Sequence, residues 1–341
     1  MLRTGNSFRR PARRTRVGVL LSSLVLLAST SGCGLLGGDE GGTAAEGNAQ
    51  VEKAKIKVSV MPLIDVTPFH LANKKGYFKE AGLEVETVNS PSGQAGLTKL
   101  IAGDVDISYG GDIPFVMANA TGSADIKFVA EASSGKPNTM MILTVPTSPV
   151  KNVQDLAGKK IAINGEKGVS DTLTKSVMKA NNVDFSKVTW VTLPFPEISG
   201  AIARGDVDAG FLVEPFITQA SKSVGTVPVV DASSGPTQDF PISAYGATAK
   251  FVNENPKTVE AFQRAMAKAT KEAEADRKIV EPLMVEFAKI DADTAALASL
   301  TKFESKLDPA RLQRVPDLML EFGIITQKID AAGMIAKQPQ D

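Results

Sequence analysis

The chain has 341 residues, with 38 basic and 38 acidic side chains, one histidine and one cysteine. Because it has no excess of basic residues, it lacks the charge that nucleic-acid binding needs, and one His and one Cys exclude disulfides, Cys–His catalytic pairs and Cys/His zinc sites. The length suits two domains of ordinary size, each able to bury a core.

The N-terminus combines a basic start with an apolar run that ends just before Cys33. Residues 1–32 contain six arginines and no acid, and their apolar stretch, 17–28, is followed by small residues at 29–32. This order resembles a bacterial lipoprotein signal peptide, in which the cysteine receives a diacylglyceryl group and becomes the first residue of the mature protein. The resemblance implies a signal peptide at 1–32, lipidation of Cys33, and a location on the extracytoplasmic face of the cell membrane.

Other interpretations of this segment stay open at the level of sequence. A transmembrane helix needs about 20 apolar residues, more than this run provides. An ordinary secretory signal also ends in small residues, and Thr30 stands where a lipoprotein signal usually has Leu. The arginine pairs leave the export route, general or twin-arginine, undecided. Without residues 1–32 the chain has 32 basic and 38 acidic side chains, so no nucleic-acid partner is predicted.

Residues 33–54 are rich in Gly, Ala and Glu and show no hydrophobic periodicity. This composition predicts a lipid anchor at the first residue followed by a flexible tether. Twenty such residues have an r.m.s. reach of roughly 25 Å, enough to hold a folded body just off a membrane.

Beyond the tether, short apolar runs alternate with helical patterns, which predicts an α/β fold. Predicted strands cover 56–61, 83–88, 105–109, 159–164, 187–193, 207–212 and 242–249. Predicted helices cover 94–102, 170–181 and 197–204, and others begin at Thr67-Pro68, with Thr67 as the N-cap, and after Pro114. After 249 only helices are predicted, and 256–275 is the clearest.

Segments 100–106 and 201–208 repeat one pattern. Each reads as a helix end, a glycine C-cap and an Asp-Val-Asp sequence that opens a strand. In each copy an acid then precedes a proline, Asp112 in the first and Glu214 in the second. We therefore expect two similar α/β lobes that face each other across the carboxyl ends of their strands, where ligands bind in such sheets.

Four stretches, 76–86, 103–114, 153–162 and 213–216, resemble the solute-binding proteins of nitrate, sulfonate, taurine and thiamine-precursor ABC importers. The resemblance runs from about 56 to 270. It implies a type II periplasmic-binding-protein fold, an α/β fold with two lobes, a ligand cleft and two hinge crossovers. Lobe 1 would comprise 55–145 plus 242–341, and lobe 2 would comprise 146–241.

The implied function is capture of a small organic solute and its delivery to ABC permease subunits, by a monomeric protein that is not an enzyme and needs no cofactor. The alternative is an extracytoplasmic sensor or scavenger with the same fold and no permease. A related branch of enzymes makes the thiamine pyrimidine with a cysteine-rich motif, which this chain lacks. The sequence does not identify the ligand.

The resemblance also implies a set of ligand-binding residues: Asp65, Ser92, Gly93, Gln94, Asp112, Gly168, Ser170 and Glu214. Ser92, Ser170 and Asp112 are equally consistent with helix N-caps, whereas Glu214 would be a poor cap. A carboxylate in a cleft repels a bare oxyanion and attracts an N–H group, so we expect the ligand to carry a hydrogen-bond donor. His70 is interpreted as a solvated or capping residue near the cleft rim, with ligand contact as the alternative.

Overall fold

The computed structural model describes residues 50–339, so the predicted signal peptide, Cys33 and most of the predicted tether lie outside the described residues. The strands are β1 (Lys55–Val60), β2 (Glu84–Asn89), β3 (Ile107–Gly111), β4 (Ile126–Ser134), β5 (Met140–Thr144), β6 (Lys160–Ile163), β7 (Thr189–Thr192), β8 (Ala209–Val213), β9 (Val227–Asp231), β10 (Pro241–Thr248) and β11 (Lys302–Phe303).

The α-helices connect and cover these strands. They are α1 (Thr67–Lys74), α2 (Tyr77–Glu80), α3 (Gly93–Ala102), α4 (Asp112–Ala120), α5 (Val169–Ala180), α6 (Phe195–Arg204), α7 (Phe216–Val224), α8 (Ala249–Glu254), α9 (Pro256–Ala275), α10 (Arg277–Ala288), α11 (Ala292–Leu297) and α12 (Pro309–Glu321). Within residues 50–339, none of these helices has the length and apolar character of a membrane span.

The strands form two mixed sheets, which confirms the predicted α/β class. The first has the order β11-β4-β10-β3-β1-β2, and the second has the order β7-β6-β8-β5-β9. Strands β1, β2 and β3 are parallel, as are β6, β7 and β8. The other pairs are antiparallel. Each sheet therefore has a parallel part whose carboxyl ends share one edge.

The chain passes from the first sheet to the second between β4 and β5 and returns between β9 and β10. These two crossing segments lie side by side, because the Gly135 N–H donates to the Phe240 carbonyl at 2.8 Å and the Asp239 N–H donates to the Gly135 carbonyl at 3.0 Å. Strand β5, which the prediction counted with lobe 1, belongs to the second sheet because it pairs with β8 and β9. The exact lobe boundaries stay a prediction.

The internal repeat has the same geometry in both sheets. Helices α3 and α6 each end at a glycine with positive φ, 82° in one and 76° in the other. The Asp106 carboxylate accepts the Lys57 N–H at 2.9 Å, and the Asp208 carboxylate accepts the Lys160 N–H at 2.8 Å. The last acid of each Asp-Val-Asp therefore holds the neighbouring parallel strand, β1 or β6, in the same register.

An aromatic cluster joins early and late parts of the chain in the first sheet's core. The Phe78 ring stacks on Phe262 of α9 at 5.4 Å between centroids, and Tyr245 of β10 meets the same ring edge-on at 5.6 Å. Phe69 of α1 stacks on Tyr245 at 6.1 Å. Helix α9 is thus fixed against α1 and α2, although about 180 residues separate them along the chain.

The predicted tether, 33–54, includes residues near its C-terminal end that are bonded to the folded body. The Glu52 carboxylate accepts the N–H groups of Lys257 and Thr258 at 3.2 and 3.0 Å, and the Lys53 N–H donates to the Thr258 hydroxyl at 2.9 Å. These bonds satisfy N–H groups that the first turn of α9 leaves without helical partners. Residues 52 and 53 therefore belong to the folded body.

Two local predictions are wrong. Thr67 is not the N-cap of α1: it is the first helical residue, and its hydroxyl donates to the Ile64 carbonyl at 2.6 Å. The stretch after β10 is not purely helical, because β11 pairs antiparallel with β4. Strands β4, β5 and β9 were not predicted.

Candidate functional site

A cavity of about 690 Å³ lies between the two sheets. Residues at the carboxyl ends of β1, β3, β6 and β8 line it, together with the first residues of α3 and α5. This is the edge at which open α/β sheets bind ligands. Seven of the eight predicted ligand-binding residues line this cavity: Asp65, Ser92, Gly93, Gln94, Gly168, Ser170 and Glu214. Their contact with a ligand stays a prediction.

Much of the remaining lining is apolar. Methionine and aromatic side chains from both sheets and their helices contribute, including Met61, Met117, Met140, Tyr109, Phe195 and Phe211. A cavity of this size and character fits an organic molecule with an apolar body, held in orientation by a few polar groups.

Asp65 is the most highly organised polar group of the cavity. It lies in a single 3-10 turn, Ile64–Val66, separated from the end of β1 by three residues. Its Oδ2 accepts hydrogen bonds from the hydroxyls of Tyr109, Ser133 and Ser243 at 3.0, 2.7 and 3.0 Å. Burial, followed by the charge of Asp65, raises the pKa of Tyr109 well above its ordinary value, so this phenol stays a donor.

The start of α3 is built as predicted. The Ser92 hydroxyl accepts the Ala95 N–H at 3.2 Å, so Ser92 is the N-cap. Gly93 follows it, and a Cβ there would lie 3.6 Å from the Gly110 Cα, at the end of β3. The first turn of α3 therefore sits directly above the strand, and its N–H groups are at the cavity.

The start of α5 differs from the prediction. Ser170 is the second helical residue rather than a cap, and its hydroxyl donates to the Asn164 Oδ1 at 2.7 Å and accepts the Asn164 N–H at 3.2 Å. Gly168 is the N-cap and provides no side-chain bond. Ser170 thus closes the loop that follows β6. A Cβ on Gly111 would lie only 2.9 Å from the Val169 Cγ2, so the two sheets' elements meet at this point.

Glu214 is occupied by partners within the chain. Its carboxylate accepts the Thr218 N–H at 3.1 Å, the Thr218 hydroxyl at 2.9 Å and the Ser299 N–H at 3.1 Å. Burial raises the pKa of Glu214, and these three donors oppose that rise. The side chain caps the first turn of α7 and ties it to the segment before β11, two roles that sequence reasoning did not foresee.

Asp112 does not line the cavity and is not an N-cap. It is the first residue of α4, after the N-cap Gly111, and its side chain is completely buried. Neither carboxyl oxygen has a hydrogen-bond partner among the described residues. Burial raises the pKa of Asp112 to about 8, although the positive charge of Arg311 opposes the rise. A carboxyl group in such a site is mostly neutral at pH 7.

His70 also lies away from the cavity lining. Its ring stacks on Phe287 of α10 with centroids 4.2 Å apart and an interplanar angle of 10°. Burial lowers the pKa of His70 to about 4, and the nearby Glu286 opposes this effect. The imidazole is therefore a neutral packing group, rather than a solvated residue at the cleft rim.

Comparison with known proteins supports the interpretation of the fold. The family model described as NMT1/THI5 like matches residues 64–278. A putative aliphatic sulfonates-binding protein of Bacillus subtilis is 28% identical over 257 residues, which are 74% of this chain and 71% of that protein. A protein of Escherichia coli with the same description is 30% identical over 137 residues, 40% of this chain and 42% of that protein.

Solved structures share the architecture at low sequence identity. The alkanesulfonate-binding protein SsuA from Xanthomonas axonopodis, bound to MOPS, has a TM-score of 0.72 at 18% identity and covers 85% of this chain and 100% of its own. The nitrate-binding protein NrtA from Synechocystis has a TM-score of 0.71 at 14% identity, covering 83% and 85%. A Candida albicans gene product described as having the generic periplasmic binding protein structural fold has a TM-score of 0.70 at 15% identity, covering 84% and 98%, so the predicted fold is confirmed.

Proposed function

Since the chain belongs to the NMT1/THI5-like family, we propose that it is the extracytoplasmic substrate-binding component of an ABC importer. It captures a small organic solute and delivers it to the transmembrane subunits of a permease. The observation that carries this proposal is the cavity at the carboxyl ends of both sheets, which is lined by seven predicted ligand-binding residues. The relatives named as sulfonate-binding proteins support the same role.

The proposed mechanism is closure of the two sheets around the solute. Polar groups come from both sides of the cavity, Asp65 and Ser92 from one and Ser170 from the other. A solute that touches both sides gains its full set of contacts only in the closed state, and it therefore populates that state. The paired crossing segments between the sheets are the proposed hinge.

Two other functions are less well supported. A sensor or scavenger without a permease would have the same cavity, but several relatives are named as binding proteins, and one structural neighbour is named as the ligand-binding component of an ABC-type import system. One relative, from Aspergillus parasiticus, is named a pyrimidine phosphate synthase and is 30% identical over 233 residues. The cysteine-rich motif expected of those enzymes is absent here, and Cys33 is the single cysteine of the chain.

The test of the proposed function pairs binding with uptake. A thermal-shift panel of sulfonates, nitrate, taurine, pyrimidines, flavins and aromatic acids on the full chain identifies the solute. We expect one solute per chain, a smaller radius of gyration by X-ray scattering when it binds, and slower uptake of that solute by a strain from which the gene is deleted. Unchanged uptake by this strain would contradict an importer and favour the sensor.

We also propose that residues 1–32 are removed and that Cys33 carries the lipid that holds the protein at the membrane. Diacylglyceryl transfer requires the Cys33 thiol, and two acyl chains anchor a protein stably where one is marginal. We expect a Cys33→Ala variant to leave the membrane fraction after a carbonate wash, while Thr30→Leu, which restores the usual signal residue, stays there. Quantitative retention of Cys33→Ala would rule out the lipid anchor.

A further inference from the structure

The cavity contains one carboxylate, that of Asp65, in which one oxygen has three hydrogen-bond donors and the other oxygen has none among the described residues. Three hydroxyls, from β3, β4 and β10, all donate to the Oδ2 of Asp65. The other oxygen, Oδ1, has no hydrogen-bond donor among the described residues. The Ser133 and Ser243 hydroxyls also lie 2.8 Å from each other, so these two donors are in direct contact. This arrangement holds the carboxylate in a fixed orientation at the cavity wall.

The charges around the cavity favour a positive ligand group. Its charged lining residues are Asp65, Glu166, Glu214 and Lys167, and no arginine or histidine is among the described residues that line it. The N-termini of α3 and α5 each add about half a positive charge. Three carboxylates against one lysine and two helix ends leave an excess of about one negative charge. A bare oxyanion, which proteins usually hold with a guanidinium fork, has no such partner here.

We propose that the ligand of this cavity has a nitrogen head group with N–H donors, as in an amine, an amidine or an amino-substituted heterocycle, and that this head group binds the Oδ1 of Asp65. The inference rests on the proposed function and specifies its substrate class. Charge-assisted N–H···O bonds are among the strongest polar contacts, so Asp65 is the main specificity-determining residue. The apolar body of the ligand packs against the methionine and aromatic lining, and its acceptors face the N–H groups that begin α3 and α5.

Three probes that share one body separate head-group chemistry from body size. They are 2-phenylethylamine, neutral 2-phenylethanol and anionic 2-phenylethanesulfonate. We expect calorimetric titration of the full chain at neutral pH to show that affinity decreases from the amine to the alcohol to the sulfonate. The amine should bind at least about tenfold more tightly than the sulfonate, which is the ratio that about 1.4 kcal/mol produces.

Variants connect this preference to Asp65. Asp65→Asn keeps the shape but removes the charge, and we expect the affinity for the amine to fall by about tenfold or more, the range of a charged hydrogen bond. Ser133→Ala removes one of the three donors that orient Asp65. It should lower the affinity for the amine by a smaller factor than Asp65→Asn does. The matched control is Asp104→Asn, an exposed carboxylate outside the cavity lining, which should leave the affinity unchanged.

These experiments can overturn the nitrogen-head proposal without overturning the proposed importer function. Sulfonate binding as tight as amine binding, no measurable amine binding up to millimolar concentration, or an unchanged amine affinity in Asp65→Asn would overturn the nitrogen-head proposal. An importer role would still stand if a solute of another class bound and its uptake depended on the gene. If Asp65→Asn fails to fold, Ser133→Ala and the probe series still decide the question.

Discussion

Asp112→Asn is expected to make the protein more stable in alkaline solution, by up to roughly 6 kcal/mol near pH 9 at about 1.4 kcal/mol for each unit of pKa difference. Burial raises the pKa of Asp112 from 3.8 to about 8 in the folded protein. The folded state therefore favours the neutral acid, and ionisation opposes folding. The amide of Asn has the shape of the neutral acid and cannot ionise.

The sign of the pH dependence follows from that shift. Below pH 4 both states bind the proton, so Asp112 costs nothing, whereas between pH 4 and 8 only the folded state keeps it and stability falls as pH rises. Urea unfolding of the wild type and Asp112→Asn should give similar free energies near pH 4 and diverge steadily up to pH 8. Burial also raises the pKa of Glu131, and the charge of Asp112 adds to that rise, so Asp112→Asn also removes this repulsion at high pH.

An Asp104→Asn variant provides the control for the loss of one negative charge, because Asp104 is exposed. Its stability should follow the wild type within about 0.5 kcal/mol at every pH, as is usual for surface substitutions. A constant difference between the wild type and Asp112→Asn from pH 4 to 9 would show that Asp112 does not titrate with folding.

Arg311→Leu is expected to destabilise the protein by about 3 to 5 kcal/mol at pH 7, because it breaks a buried pair and leaves the carboxyl group of Glu131 without its partner. Arg311 of α12 donates to Glu131 at 2.7 Å and to Glu304 at 2.8 Å. The Glu131 side chain is 0% exposed, and Arg311 is 19% exposed. The pair joins α12 to β4 and to the residue after β11.

Two further variants show whether the loss comes from the unpaired carboxyl group. Glu131→Gln in the Arg311→Leu background replaces that group with an amide that cannot ionise, so the double variant should recover part of the stability. Arg204→Leu, which removes an exposed pair with Asp206, should cost less than about 1 kcal/mol. Chemical denaturation at pH 7 measures all four proteins. Equal stability of Arg311→Leu and Arg204→Leu would contradict the assigned role.

The sequence predicted the elements that carry local signals. Helices α3, α5 and α6 and strands β1, β3, β6 and β8 lie within about two residues of their predicted positions, because apolar periodicity and glycine C-caps mark them. Strand β9 contains Pro228 at its second position, which a strand tolerates at a sheet edge, so its sequence does not read as a strand. In β4, Glu131, Ser133 and Ser134 are buried by distant partners, which hides the strand pattern.

The site was predicted less completely, because its side chains are held by partners that are distant in the sequence. Loops that end at helix starts are visible in sequence, and the residues at the starts of α3 and α5 do line the cavity. The donors that hold Asp65 come from positions 44, 68 and 178 residues away, so no spacing rule connects them. The repeat made Asp112 and Glu214 equivalent, but one is sealed in the core and the other is bonded to its own helix.

The position of β10 has a consequence for biosynthesis. Strands β5 to β9 come from one uninterrupted stretch, 140–231, so the second sheet can complete as soon as that stretch has been made. The first sheet must wait, because β10 fills the place between β3 and β4 and is made after all of them. A nascent chain that stops before residue 241 lacks both β10 and β11, so β3 has one unpaired edge and β4 has no strand partner. Unpaired edges are templates for pairing with other chains. Premature termination therefore yields aggregation-prone fragments rather than a working half.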